Sequence, residues 1–246
     1  MTESQRVALV TGGANGIGAA IGALLASRGL RVVLADRDER VRETADRIGG
    51  DAILMDVADP MSIAAAEIAE LDVLVNSAAI APTSGLGDAG LLDDFSRALD
   101  VNVRGILAVV SALLPQLRRS ASPRILNIGS VQGSAAAAGG IAYATSKGAV
   151  NSLTRALAVD LADAGILVNA LAPGFTDTAM ALLPDGTSEY DTEWFRSVYV
   201  RHGRVPLRRP AAAEEIAEAA EFLVSERNTY VTGAILPVDG GLLATF

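Results

Sequence analysis

Tyr143 and Lys147 lie four positions apart in a segment with helical patterning, and Ser130 precedes Tyr143 by thirteen residues. Four residues is about one helical turn, so the phenol and the ammonium reach the same small volume. A phenol with a pKa near 10 is a weak base at neutral pH, and lowering it by about three units takes roughly 4 kcal/mol of selective stabilisation of the phenolate. A nearby ammonium, together with a cationic ring bound beside it, can provide that. The tyrosine then takes or gives an oxygen-bound proton, while Ser130 holds the same oxygen by a hydrogen bond. The lysine is notable for another reason: of 20 basic residues, 19 are arginine and Lys147 is the single lysine. A lysine kept under that bias is expected to do what a compact ammonium does and a guanidinium does not.

A second group of residues suits a dinucleotide. After a first apolar run come Thr11, Gly12, Gly13, Ala14, Asn15, Gly16, Ile17 and Gly18, and then a helical pattern. Glycines in such a turn let backbone N–H groups approach a pyrophosphate, and the helix N-terminus favours its charge. Spacing of glycines alone is weak, since a strand-to-helix turn can be purely structural. The second run, however, ends with Asp36, 18 residues past Gly18, where an acid can take both ribose hydroxyls of an adenosine and repel a 2′-phosphate. Arg37 follows and could attract that phosphate, but no basic residue sits in the glycine turn to help it. The expected cofactor is NAD rather than NADP.

These residues need a scaffold, and short apolar runs alternating with helical segments supply one. Strands are expected at Val7–Thr11, Arg31–Ala35, Ala52–Met55, Val73–Asn76, Arg124–Gly129, Leu167–Leu171 and Ala234–Val238. Helices are expected at Ile17–Ser27, Glu39–Ile48, Pro60–Ala69, Leu91–Arg119, Tyr143–Ala162 and Glu214–Val224. That alternation predicts an α/β fold: a doubly wound, seven-stranded parallel sheet, the Rossmann fold, with helices on both faces. Ser130 closes the fifth strand in this reading. The stretch 175–210 breaks the rhythm and reads as a small helical insertion forming a substrate lid within one domain spanning 1–246.

Composition narrows the function. A net charge of −9 disfavours nucleic acid and anionic membrane surfaces as partners. With no cysteine, disulfides, thiolate metal sites and a cysteine nucleophile are excluded, and the single His202 leaves no histidine-rich metal site. Metal is therefore expected to play no part. The polar start lacks the pattern of a signal peptide, and no run reaches about 18 uninterrupted apolar residues, so a cytoplasmic protein is expected.

The glycine pattern, Asp36, Asp56-Val57, Asn76-Ser77-Ala78-Ala79, Asn102, Ser130, Tyr143 with Lys147, Asn169, Pro173-Gly174 and Val238-Asp239-Gly240-Gly241 fall in an order and spacing that resembles the short-chain dehydrogenase/reductase family over essentially the whole chain. The resemblance implies that Tyr143 is the general acid/base, that Lys147 binds the nicotinamide ribose and lowers the tyrosine pKa, that Ser130 orients the substrate and that Asn102 anchors a water in a proton relay. It implies cofactor contacts from Gly12, Asn15, Gly16, Ile17 and Gly18, adenine contacts from Asp56 and Val57, lining by Asn76 and Ala78, and carboxamide contacts from Pro173 through Thr176 to Thr178. It also implies a homotetramer. Ser77 and Ala79 depart from the family's usual second asparagine and final glycine, which affects local packing rather than chemistry. The one-turn spacing of Tyr143 and Lys147 argues against enoyl reductases, which space this pair more widely.

The expected reaction is hydride transfer between NAD and a neutral secondary alcohol or polyol and its ketone. Small residues between Ser130 and Tyr143 leave room, Gln132 and Ser134 could bond extra hydroxyls, and Phe175, Met180, Leu182 and Leu183 would form an apolar cover. Tyr190, Trp194, Val198 and Tyr199 form a helical stripe that reads as the packing face of the lid. The alternatives are a hydroxy acid or other acidic substrate held by Arg201 or Arg204, a non-catalytic NAD-binding regulator, and a purely structural protein. His202 reads as a solvated loop residue and Arg209 as structural. The apolar tail from Gly241 to Phe246 is unusual for a free terminus and suggests burial in a partner subunit.

Overall fold

The computed structural model describes residues 5–245. Seven strands form one sheet: β1 (Val7–Thr11), β2 (Arg31–Asp36), β3 (Asp51–Leu54), β4 (Val73–Asn76), β5 (Arg124–Ile128), β6 (Leu167–Pro173) and β9 (Ile235–Val238). Their order is β3-β2-β1-β4-β5-β6-β9, and every pairing is parallel. Every residue of the central β1, β4 and β5 is buried, so these segments are mostly apolar without alternation; the polar Arg124, Asn127 and Asn76 are buried with hydrogen-bond partners.

Both faces are covered. On one, Ile21 and Leu25 of α1 (Gly16–Ser27), Val41 of α2 (Arg40–Ile48) and Ile216 and Leu223 of α8 (Ala213–Val224) pack against Val10, Val32, Leu34 and Val75. On the other, Ile63 of α3 (Pro60–Ala64), Val109 and Leu113 of α5 (Gly105–Leu117) and Val150 and Leu157 of α6 (Ile141–Asp160) pack against Leu9, Val33, Leu74 and Ile125. β1 pairs with both β2 and β4, so the chain winds outward in two directions from it. Parallel sheets leave a crevice at that switch, outside the carboxyl ends of the strands.

Several boundaries differ from expectation. The Pro60–Ala69 helix stops at Ala64. The carbonyls of Ile68 and Ala69 instead accept from Gln116 at 2.9 Å and Arg119 at 3.0 Å, side chains of and just beyond α5. The Leu91–Arg119 helix divides into α4 (Leu91–Leu99), a π-helical turn at Asp100–Arg104 and α5. The stretch Leu91–Leu117 has the length and mean hydropathy to cross a bilayer. Yet its acidic and basic groups cluster before Gly105, and Val109, Val110, Leu113 and Leu117 are spent on the core. Ser130 lies two residues beyond β5, where its Oγ accepts from the Gln132 N–H at 3.1 Å and caps the turn Val131–Gly133.

The inserted region carries a two-stranded pair, β7 (Thr176–Asp177) with β8 (Ala211–Ala212), and a short helix α7 (Glu193–Phe195) followed by a π-helical turn at Arg196–Arg201. Phe175, Tyr190, Phe195 and Tyr199 pack edge-on or tilted at centroid separations of 4.6 to 5.9 Å. The Tyr190 hydroxyl donates to the Thr176 carbonyl at 3.0 Å and accepts from the Thr176 N–H at 3.1 Å, fastening this segment to the sheet side. The tail folds back: Leu242, Leu243 and Thr245 line the crevice of their own chain. Leu242 and Thr245 are partly covered while Leu243 and Ala244 stay exposed, so the single chain leaves part of the apolar tail open; its last residue, Phe246, lies outside the described residues.

Candidate active site

A cleft of about 900 Å³ opens over the carboxyl ends of the strands. At its nucleotide end the N-terminus of α1 faces the cavity through Asn15, Gly16 and Ile17. Asn15 makes no side-chain cap, and no acid occupies the first turn, so the helix presents backbone N–H donors to the cleft. The turn is tight. A methyl on Gly18 would stand 2.2 Å from the Gly12 carbonyl, and one on Gly12 would stand 2.7 Å from the Ala78 nitrogen. Asp36 is held by two backbone donors, Ala14 at 3.1 Å and Asp38 at 3.0 Å, one on each oxygen. Each oxygen keeps capacity for a hydroxyl. Asp56, Val57 and Ala78 line the same wall, and Pro173, Thr176 and Thr178 the opposite stretch toward the lid. Donors for a pyrophosphate, an acid for ribose hydroxyls and an apolar slot beside Val57 make a donor set that fits a nicotinamide dinucleotide.

Ser130, Gln132, Tyr143 and Lys147 line the other half. α6 begins at Ile141, so Tyr143 stands in its first turn and Lys147 one turn on. Lys147 is 2 % exposed. Its Nζ donates to the Ile128 carbonyl at 2.8 Å and lies 5.6 Å from the centre of the Tyr143 ring. Burial pushes the Lys147 pKa down to about 8 and the Tyr143 phenol upward, while a hydrogen bond with Ser130 pulls the phenol back. This differs from the expectation that the ammonium lowers the tyrosine. In the chain by itself desolvation dominates, because it disfavours both charged forms. Depressing the phenol needs further positive charge or further hydrogen bonds at its oxygen.

Two expected site residues lie outside the cleft lining. Asn102 is fully buried in the π-helical turn: its Oδ1 accepts from the Ile80 N–H, and its Nδ2 donates to the Ile80 carbonyl and to Ser146 Oγ, each at 2.9 Å. With both amide hydrogens engaged, its side chain acts as a brace. Ser146, which no motif reading singled out, carries the brace to the site by donating to the Tyr143 carbonyl at 2.7 Å. Asn76 likewise points into the sheet, where its Nδ2 donates to Asn127 at 2.9 Å. Arg201 does not line the cleft and pairs with Glu193, whereas Arg204 does line it. Phe175 and Met180 line the cavity, but Leu182 and Leu183 are exposed away from it. Glu189 and Trp194 also face the cavity. Arg209 pairs with Glu215, which also accepts from the Ala212 N–H at the start of α8. Among the described residues no three His, Asp or Glu side chains gather as a metal site would require.

The lysine pKa makes a stability prediction. Its folded value of about 8 lies below the ordinary 10.5, so between these values the unfolded chain binds the proton and the folded chain does not. Stability attributable to Lys147 therefore rises with pH across that window. Urea unfolding of wild type and Lys147→Met should show the wild type gaining roughly 1 to 3 kcal/mol relative to the variant from pH 8 to 10.5. A pH-independent difference would contradict the burial of a titrating amine.

Residues 12–243 match the sequence model of a family described as Enoyl-(Acyl carrier protein) reductase. The chain is 37% identical to cis-4-hydroxycyclohexanecarboxylate dehydrogenase of Sinomonas cyclohexanicum, covering 98% of each chain. It is 37% identical to 2-(R)-hydroxypropyl-CoM dehydrogenase of Xanthobacter autotrophicus, covering 98% of this chain and 99% of that one. Aldohexose dehydrogenase of Thermoplasma acidophilum superposes with a TM-score of 0.88 at 31% identity, over 98% of this chain and 95% of the other. ElxO with NADP bound gives 0.85 at 27% identity, over 98% and 100%. On the sheet order, the cleft and these full-length likenesses, this chain belongs to the short-chain dehydrogenase/reductase family and is an oxidoreductase of the kind that acts on alcohols and ketones with a nicotinamide cofactor.

Proposed function

We propose that the protein is an NAD-preferring dehydrogenase that oxidises a secondary alcohol or polyol to the ketone, with Tyr143 as general acid/base. The observation that carries this reading is the convergence of Ser130, Tyr143 and Lys147 on one end of a cleft whose other end holds the Asp36 carboxylate. Gly12, Asn15, Gly16, Ile17 and Gly18 would hold the pyrophosphate, Asp36 the adenosine ribose, Asp56, Val57 and Ala78 the adenine side, and Pro173, Thr176 and Thr178 the carboxamide. When bound, the nicotinamide supplies the carbon that takes or returns hydride. The protein's own share is the proton. Ser130 donates to the substrate oxygen, and Tyr143 receives that oxygen's proton as its C–H bond is oxidised. Lys147 holds the nicotinamide ribose, and Asn102 and Ser146 keep the first turn of α6 in place. The lid aromatics exclude water.

The fixed carboxylate at Asp36 opposes a 2′-phosphate, whereas Arg37 beside it in the cleft lining would favour one. The one-turn spacing of Tyr143 and Lys147 supports alcohol chemistry over the enoyl reduction named in the matching family description. We also infer a homotetramer, supported by exposed apolar side chains in the α8–β9 stretch, Phe222, Tyr230 and Leu236, at the open edge of the sheet. Light scattering should give about four times the 25.2 kDa chain mass, and a stable monomer would refute the assembly.

The functional test is NADH formation across secondary alcohols, polyols, hydroxysteroids and hydroxy acids, run with NAD and NADP side by side and with chelator present. NAD should give the higher kcat/KM, chelator should have no effect, and Tyr143→Phe should remove at least about 99% of turnover with NAD affinity unchanged. A higher kcat/KM with NADP would show that Arg37 outweighs Asp36. Retained activity in Tyr143→Phe would overturn the proton-transfer assignment.

A further inference from the structure

Glu189 places a carboxylate in the wall of the cleft where no motif marks one. It opens the turn Glu189–Asp191 of the lid and is half-buried. The next residue, Tyr190, is tied through its hydroxyl to both backbone groups of Thr176 and lies within electrostatic reach of Tyr143. Glu189 is thus carried by a turn whose next residue is fixed beside the reacting end of the cavity. Burial pushes its carboxyl above the usual range, the neighbouring Tyr190 works against that shift, and no cation contributes. Two lid arginines are engaged elsewhere, Arg196 with Asp191 and Arg201 with Glu193. Gln132 lines the same cavity, but its Oε1 is shielded from solvent and receives no hydrogen bond among the described residues. The Glu189 carboxylate is therefore the acceptor offered to a ligand, and an acceptor left in a closing site needs a donor from it.

The geometry points to Glu189 as the specificity-determining residue: it accepts a hydrogen bond from a second hydroxyl of the substrate and turns carboxylate-bearing alcohols away. Resting on the dehydrogenase reading above, this names neutral diols and polyols as the substrate class. The aromatic faces of Trp194 and Tyr199 suit the C–H side of such a molecule. A substrate carboxylate, by contrast, would meet a like charge in a poorly solvated place, and the two dehydrogenase relatives whose names specify a carboxylate or a CoM-linked alcohol then differ from this chain in the group they must accommodate.

The test uses alcohols that share a reacting carbon and differ in one group: butan-2-ol, butane-1,3-diol and 3-hydroxybutyrate, with cyclohexanol, cyclohexane-1,2-diol and 2-hydroxycyclohexanecarboxylate as a second set. Wild type should oxidise each diol with kcat/KM at least about tenfold above its mono-alcohol and its acid, the size expected for one hydrogen bond to a charged group. Glu189→Gln, which keeps shape and removes charge, should raise the acid-to-diol ratio about tenfold at unchanged melting temperature. Glu189→Leu should bring the diol down to the level of the mono-alcohol. Ratios unchanged in both variants would overturn the assignment while leaving the dehydrogenase reading intact. So would a wild-type preference for the acids that Arg204→Ala abolishes. No turnover of any of the six alcohols with either cofactor would defeat the dehydrogenase reading itself, and this inference with it.

Discussion

A lysine taken out of water at the foot of α6 is the constraint on which the site depends. Burying an ammonium is costly unless it is hydrogen-bonded, and the Ile128 carbonyl at the end of β5 answers it at 2.8 Å. That bond joins the helix to the carboxyl edge of the sheet at one definite height. Tyr143, one turn earlier, is then carried over the cleft, and Ser130, just past the same strand, is brought to it. The π-helical turn at Asp100–Arg104 places Asn102 behind this arrangement, and Ser146 passes the support to the Tyr143 carbonyl. The proposed proton-transfer geometry therefore rests on α6 and the carboxyl end of β5, with Ser130 held in a capped turn just beyond the strand.

The same burial sets the protonation states against the reaction in the unliganded chain. Desolvation raises the phenol and lowers the amine, so the site at rest holds a neutral tyrosine. Ser130 offsets part of this. In the proposed mechanism the remainder would come with the ligand, which would tie proton transfer to the filled cleft. Asp36 differs at the far end: its two oxygens are already oriented by backbone N–H groups, and in the proposed role it would meet ribose hydroxyls without side-chain reorganisation.

The strands were legible because a parallel sheet covered on both faces leaves few polar positions: β1 and β4 carry that signature most fully, while β5 also buries Arg124 and Asn127. The glycine turn was legible for a steric reason, since nothing larger fits at Gly18 against the Gly12 carbonyl. Helix ends were less so. α3 stops at Ala64, and the chain beyond it is held instead by Gln116 and Arg119, which bind the Ile68 and Ala69 carbonyls; such distant partners leave no local mark. Asn76 and Asn102 read as site residues from their place in a motif, yet whether an amide faces a cavity or a neighbouring strand depends on partners such as Asn127 and Ser146. Glu189 was missed for the opposite reason: among Thr187, Ser188, Asp191 and Thr192 it looks like one more exposed polar residue. Only the folded lid turns it toward the cleft. For the tail, apolar residues at a terminus call for cover without naming what supplies it, and the folded chain by itself leaves Leu243 and Ala244 exposed.

The central claim is that the phenol of Tyr143 becomes the base of the reaction only in the filled site. Tyrosinate absorbance near 295 nm reads it directly, since the chain has four tyrosines and a Tyr143→Phe variant identifies the signal. Titrated without ligand, Tyr143 should ionise above the ordinary 10.0. With NAD bound, one tyrosine should ionise below that value, and Tyr143→Phe should lack this early transition. An unchanged titration on adding saturating NAD, or an early transition that persists in Tyr143→Phe, would contradict the account.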